Sequence, residues 1–282
     1  MRLATIIRED EPVAALVEDG LVLPLLLDEP WLRTVRGIVG SGSDGLARVR
    51  SWAELADPSA YRGLDEVELG PAIPDPGAIY TIGLNYRTPG EAPGEVPPRP
   101  LVYGKAVSSV GAHRGILRWD RSLTSNVDPE VELGVVIGAT AAAVPARDAM
   151  DHVFGYTVIN DVSSRDPWLD GDQWLVGKSM PGFCPVGPWV VTADALDPRD
   201  LRLACAVDGA AVQDDRTSSL RYSIAEVVSY LSRHVTLRPG DLIATGTPAR
   251  LTTPPGPDRH LEPGDVVTAW IEGIGELTTT IA

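Results

Sequence analysis

The sequence predicts an α+β protein, mostly β, in which a small N-terminal α/β unit precedes a rolled or sandwiched β architecture. Chain breakers are dense, with 25 prolines and 28 glycines in 282 residues. They keep helices short and favour strands and turns. Short runs of Val, Ile and Leu recur at regular intervals between turn residues, the pattern of a sandwich or roll. Long, evenly periodic helices, internal repeats and low-complexity tracts are absent.

Taken in order, Leu3 to Ile7 and Val13 to Val17 are short strands, and Asp19-Gly20 turns the chain into Leu21 to Pro24. Leu46 to Leu55 reads as a helix with Arg48, Arg50 and Glu54 on its wet side. The closely spaced prolines of Pro71 to Pro76 are the expected linker. The boundaries that follow are 1–70 for a small structural domain and 71–282 for the larger one. The larger domain opens with a strand from Ala78 that runs into a turn at Tyr86. Residues Thr88 to Pro100, with five prolines and two glycines, form a loop long enough to cover a pocket, although composition alone favours a disordered surface loop. Pro100 to Lys105 is a strand ending in a lysine. Asp148 to Val153 is a short helix, and Phe183 to Val191 and Leu201 to Val207 are strands. Ser223 to Leu231 has a helical apolar face at Ile224, Val227, Val228 and Leu231. Two Pro-Gly-Asp turns, at Pro239 and Pro263, lead into the closing strands.

Composition narrows the function classes. Lys plus Arg is 24 against 39 Asp plus Glu, a net charge of -15, which argues against a nucleic-acid partner. No apolar run approaches the ~20 residues of a membrane span, and no secretion leader is visible, so no membrane partner and a cytoplasmic location are expected. Cys184 and Cys205 lack disulfide or metal-ligand spacing and read as buried thiols.

The chemistry concentrates between Asp128 and Asp166. Asp128-Pro129-Glu130-Val131-Glu132 leads into Leu133 to Gly138, and Gly155 to Ile159 leads into Asn160-Asp161. Side chains alternate along a strand, so Glu130 and Glu132 share a face. If the two runs are neighbours, Asp161 joins them. Three gathered carboxylates need a cation or raised pKa values. An all-oxygen donor set suits a hard divalent ion, Mg2+ first, with Mn2+ or Ca2+ as alternatives. The plainer reading is a solvent-facing Glu-x-Glu pair and an Asp that starts a turn.

Gly83-Leu84-Asn85-Tyr86-Arg87, Asp128 to Gly138, Gly155-Tyr156 with Asn160 to Asp166, Gly177-Lys178-Ser179, Phe183 to Trp189, and Pro239-Gly240-Asp241 with Thr245-Gly246-Thr247-Pro248 occur in an order that resembles the fumarylacetoacetate hydrolase superfamily. The resemblance covers about two hundred residues, from the linker to the C-terminus. It implies a mixed β-sandwich roll as catalytic domain, a homodimer, and a small-molecule substrate of the 2-oxo acid or acylpyruvate type. It also implies a metal held by Glu130, Glu132 and Asp161, with carbon–carbon bond cleavage through an enolate. Lys178 matches a lysine beside the metal, and Thr247 matches a residue that meets the substrate carboxylate. Arg165 contacts substrate or pairs with a structural carboxylate. Lys105 and Tyr86 lie in matching segments and are expected near substrate.

Three departures stand out. Hydrolytic members carry Asn-Tyr-x-x-His and a nearby glutamate on the lid, and here Pro89 takes the histidine's place. Proline cannot accept a proton, so Glu91, Glu95 or His113 becomes the candidate base. Trp168 stands near the usual glutamine, and Arg250 replaces a glycine after Thr-Gly-Thr-Pro-x; both suggest a reshaped pocket. Hydrolysis thus competes with decarboxylation, dehydration or isomerisation on the same platform, and with a non-catalytic member of the family.

Overall fold

The computed structural model describes residues 1–87, 97–166, 174–251 and 259–282. Residues 1–70 contribute β1 (Arg2–Arg8), β2 (Glu11–Glu18), β3 (Leu21–Pro24), α1 (Val35–Gly40) and α2 (Gly42–Leu55). The rest supplies β4 (Ile79–Gly83), β5 (Leu101–Lys105), β6 (Val131–Ile137), β7 (Val153–Asn160), α3 (Trp174–Lys178) and β8 (Cys184–Thr192). It continues with β9 (Arg202–Val207), β10 (Ala210–Arg216), α4 (Ile224–Ser232), β11 (Leu242–Ala244), β12 (Val266–Ile271) and β13 (Gly275–Ile281).

Two mixed sheets organise these elements. The larger runs β3–β2–β1–β8–β7–β6–β11–β4–β5. Along this run the pairs are antiparallel except β11 with β4, and Val110–Gly111 adds to β8 in parallel. The smaller runs β10–β9–β12–β13 and adds Gly115–Leu117 in parallel to β13. Strand β1 pairs with β8 through Arg2↔Val191 and Leu3↔Val190, so residues 1–70 share the large sheet with the remainder.

Every residue of β6 is buried, and its alternation explains how. Val131, Leu133, Val135 and Ile137 pack with Leu203, Cys205, Val267, Ala269 and Leu277 of the smaller sheet. Val136 faces the other way and packs with Ile159, Val186 and Val190, and with Leu16, Val35, Ile38 and Val39 of the first 70 residues. A strand covered on both faces reads as one apolar run. Glu132 lies on this second covered face, which removes it from solvent.

Most expected elements form close to their expected bounds. The apolar stripe of α4 is buried, and Ser223 and Glu226 close a capping box at its start. The helix expected at Leu46 begins earlier, at Gly42, and the one expected at Asp148 is a 3-10 turn over Ala146–His152. The strand expected from Asp128 to Gly138 is broken. Val127–Asp128 pairs with Ser163–Ser164, and β6 starts only at Val131. Pro129 has no N–H to give a ladder, so the break falls there.

Candidate active site

Strand pairing brings the carboxylates together. Across β6 and β7 the register is Val131↔Asn160 and Glu132↔Ile159. Asp161 continues that register, and its N–H donates to the Glu130 carbonyl at 2.8 Å. Glu130 and Asp161 therefore stand opposite one another, with Glu132 next along the same face. One oxygen from each carboxylate lies within 4.8 Å of the others. Glu130, Glu132 and Asp161 are only 6%, 2% and 1% exposed.

Two of the three are matched by cations. Lys178, at the end of α3, donates to Glu130 Oε2 at 2.9 Å, Asp161 Oδ2 at 2.8 Å and Ser163 Oγ at 2.6 Å. Lys105, at the end of β5, reaches Asp161 Oδ1 at 2.5 Å and the Val162 carbonyl at 3.1 Å. Arg165 pairs with Glu130 and with Asp128 Oδ2 at 3.1 Å. Burial alone would raise the Asp161 pKa, but Lys105 and then Lys178 outweigh it and hold the carboxyl below its ordinary range. Burial works against the Lys178 ammonium too, and Asp161 and Glu130 reverse that, so the ammonium is held more firmly than usual.

Glu132 differs. Its Oε2 accepts from the Gly246 N–H at 2.7 Å, and its carboxylate enters no ion pair among the described residues. Burial, then Asp161 and Glu130, push its pKa well above the usual carboxylate value. A buried carboxylate that is hydrogen-bonded but has no cation of its own, beside two more carboxylates with oxygens within reach, fits a divalent cation. The donor set is all oxygen, which suits Mg2+, Mn2+ or Ca2+.

These groups open onto a cavity of about 330 Å³. Tyr86, Arg165, Lys178 and Thr247, all expected near substrate, line it together with Thr81, Gln213 and Arg250. Tyr103 and Trp174 stack on its wall with ring centroids 4.3 Å apart. Asn85 fixes the turn that carries Tyr86: its Nδ2 donates to the carbonyls of Thr245 at 2.7 Å and Tyr222 at 3.2 Å, and its Oδ1 accepts from the Tyr222 N–H at 3.0 Å. Thr247 Oγ1 donates to the Val131 carbonyl at 2.9 Å and accepts from Gln213 Nε2 at 2.8 Å.

Other expectations fall elsewhere. Lys105 is buried and ends on Asp161, outside the cavity lining, so it faces the ligand carboxylate rather than a substrate. His113 is not in this cavity. It lies in a separate depression with Trp189 and Thr278, where its Nδ1 accepts from the Thr278 N–H at 3.2 Å. Burial, and then Arg114, push its pKa down to about 4. Glu91, Glu95 and Pro89 on the lid segment, and Trp168, lie outside the described residues. Cys184 and Cys205 are buried unbridged thiols, with pKa values pushed up to about 12 by that burial.

The sequence reading missed several participants. Asp128 gathers Arg165, Arg250 at 3.4 Å and His260 Nδ1 at 2.8 Å at the cavity edge. Gln213 ties the Val131 N–H to Thr247. Neither has a local signal, because both act across more than thirty residues of chain. Gly246 did have one, as part of the Thr245-Gly246-Thr247-Pro248 segment that carries the resemblance. Its φ is +107°, and an added Cβ would stand 2.9 Å from the Ile82 carbonyl oxygen.

A sheet-borne carboxylate triad braced by two buried lysines makes a site able to hold a divalent cation. A model of the family described as "Fumarylacetoacetate (FAA) hydrolase C-terminal" matches residues 78–282. The chain belongs to the fumarylacetoacetate hydrolase superfamily. It is similar over its whole length to a fumarylacetoacetate hydrolase from psychrophilic Exiguobacterium antarcticum, with 29% identity, TM-score 0.84 and 99% of that chain covered. It also resembles a maleylpyruvate hydrolase from Sphingobium sp. SYK-6 solved with manganese(II) and pyruvate, at 28% identity and TM-score 0.79, again covering all of this chain and 99% of the other. A 2-hydroxyhepta-2,4-diene-1,7-dioate isomerase from Mycobacterium marinum is 32% identical with TM-score 0.77, over all of this chain and 98% of the other.

Proposed function

We propose that this chain is a divalent-metal-dependent enzyme that hydrolyses a carbon–carbon bond in an acylpyruvate-like 2-oxo or 1,3-dicarbonyl acid. The observation that carries the reading is the buried triad, with Glu130 and Asp161 matched by Lys178 and Glu132 lacking an ion-pair partner among the described residues. Glu130, Glu132 and Asp161 would hold Mg2+, or Mn2+ or Ca2+ in its stead. When bound, that ion supplies positive charge for the 2-oxo-carboxylate head and for the oxygen that becomes negative as the bond breaks. The manganese and pyruvate in the Sphingobium relative support both parts of this reading.

The chain's own residues divide the remaining work. Lys178 keeps Glu130 and Asp161 in place and presents an ammonium at the cavity wall, where it attracts a substrate carboxylate. Arg165 does the same from the Asp128 side. Tyr86 has its pKa raised by burial and then by Glu132, so its hydroxyl stays protonated and donates. In hydrolysis the acyl carbon gains the water oxygen, and the electrons of the broken bond pass to the pyruvate-like fragment, which takes up a proton. The base for that water is proposed to be Glu91.

A second reading has specific support. No histidine is among the described residues that line the cavity, and Pro89 replaces the lid histidine. Isomerisation, dehydration or decarboxylation needs no activated water, and an isomerase is among the relatives. The two separate in an absorbance assay on acylpyruvates and oxaloacetate, with Mg2+ or Mn2+ and with chelator. Metal-dependent loss of the enol-dione band with two acid products is the expected result. A product of unchanged mass, or CO2, moves the assignment to the second reading, and turnover indifferent to chelator removes both. A homodimer, a cytoplasmic location and the division at residue 70 belong to the same proposal.

A further inference from the structure

We infer that Gln213, on β10 of the smaller sheet, is a positioning residue for the carboxylate centre. With Thr247 it clamps Val131, the residue between Glu130 and Glu132, and so sets where both glutamates stand. The inference rests on the reading of the triad as a metal site. It adds to that site an uncharged group from the other sheet that holds no ion itself.

The ladder between β6 and β11 ends at the pair Gly134↔Ala244. Beyond it, Val131 is held on that side by two side chains. Its N–H donates to Gln213 Oε1 at 3.0 Å, and its carbonyl accepts from Thr247 Oγ1 at 2.9 Å. Gln213 Nε2 in turn donates to Thr247 Oγ1 at 2.8 Å and to the Pro248 carbonyl at 2.6 Å. These bonds can be arranged in only one way. A backbone N–H only donates and a carbonyl only accepts, so Val131 and Pro248 fix which end of the amide is oxygen. Thr247 then receives an amide proton and gives its single hydroxyl proton to Val131. Gln213 is 4% exposed, with its oxygen and both amide protons engaged. A buried network satisfied in this way is rigid, whereas one missing a member leaves unpaired groups. Glu130 and Glu132 are the chain neighbours of Val131, and a binding constellation tolerates displacements of only about 0.5 Å. Loss of the amide therefore acts on the ion through Val131.

The test is calorimetric titration of Mn2+ into metal-free protein, with stability followed by chemical denaturation. Gln213→Met keeps the length of the side chain and removes the amide, and should weaken Mn2+ binding roughly tenfold to a hundredfold. Thr247→Val should weaken it in the same way, and the double variant should add little to either single change. Thr247→Ser, which keeps the hydroxyl, should retain the wild-type affinity. Ser232→Ala is the control. Ser232 Oγ accepts from the Val144 N–H at 3.0 Å, buried and outside the cavity lining, so its loss costs stability and leaves Mn2+ affinity unchanged. If Gln213→Met does not fold, the contrast between Thr247→Val and Thr247→Ser decides. Unchanged affinity in Gln213→Met and Thr247→Val, fully additive losses in the double variant, or an equal loss in Ser232→Ala overturns the role of Gln213 and leaves the metal reading standing. A wild type that binds no Mn2+ overturns both.

Discussion

At the scale of single residues, the three carboxylates differ in how their charge is met, and the differences have opposite consequences with pH. Asp161 is held below its ordinary pKa, so it contributes stability above the unfolded value of about 3.9 that is lost as pH falls through the lower folded value. Glu132 is held above its ordinary pKa. In the metal-free protein its contribution is fully present below about 4.3 and is lost as pH rises toward the folded value. Glu132→Gln should therefore flatten the fall of unfolding temperature above about pH 4.5 in chelator, as followed by circular dichroism. Lys178→Met acts in the other direction, because Glu130 and Asp161 lose a shared buried partner at 2.9 and 2.8 Å. Chemical denaturation in chelator should show a loss of about 3–5 kcal/mol. A loss under 1 kcal/mol would mean that the lysine does little to neutralise the pair.

At the scale of elements, the site depends on one ladder and one turn. The ladder was legible: Glu130, Glu132 and Asp161 follow from strand alternation and from two adjacent apolar runs. The same alternation predicts one strand through Pro129, where the missing N–H breaks it. The turn was legible only as a motif. Gly246 places its N–H on Glu132 because the backbone there has φ +107°, and Asn85 and Ile82 fill the space that a side chain would need. Gly246→Ala should cost about 1–3 kcal/mol through this conformation, and should also weaken Mn2+ binding, since the displaced N–H no longer orients Glu132. Stability loss with unchanged Mn2+ affinity would separate the turn from the site. Gln213 was invisible in sequence, because a glutamine in a strand is ordinary until its neighbours are known. His113 misled for the same reason, and only the fold puts it in another depression beside Thr278.

At the scale of the whole molecule, the large sheet carries the site between two layers. The smaller sheet covers one face of β6, and apolar side chains from the first 70 residues cover part of the other. Composition anticipated the strand-rich architecture, while the pairing of β1 with β8 is a long-range contact that periodicity does not encode. An ion held in such a frame would stabilise the folded chain by mass action. Mn2+ at a hundred times its Kd adds about 2.7 kcal/mol, or roughly 5–10 °C in unfolding temperature for a chain of this size. The most direct measurement is therefore equilibrium dialysis of wild type and Glu132→Gln against Mn2+, with the metal in each chain counted. One Mn2+ per wild-type chain, lost in a Glu132→Gln protein of unchanged circular dichroism, is the result expected of a carboxylate metal centre. A wild type that retains no Mn2+, or a variant that retains as much, would contradict it.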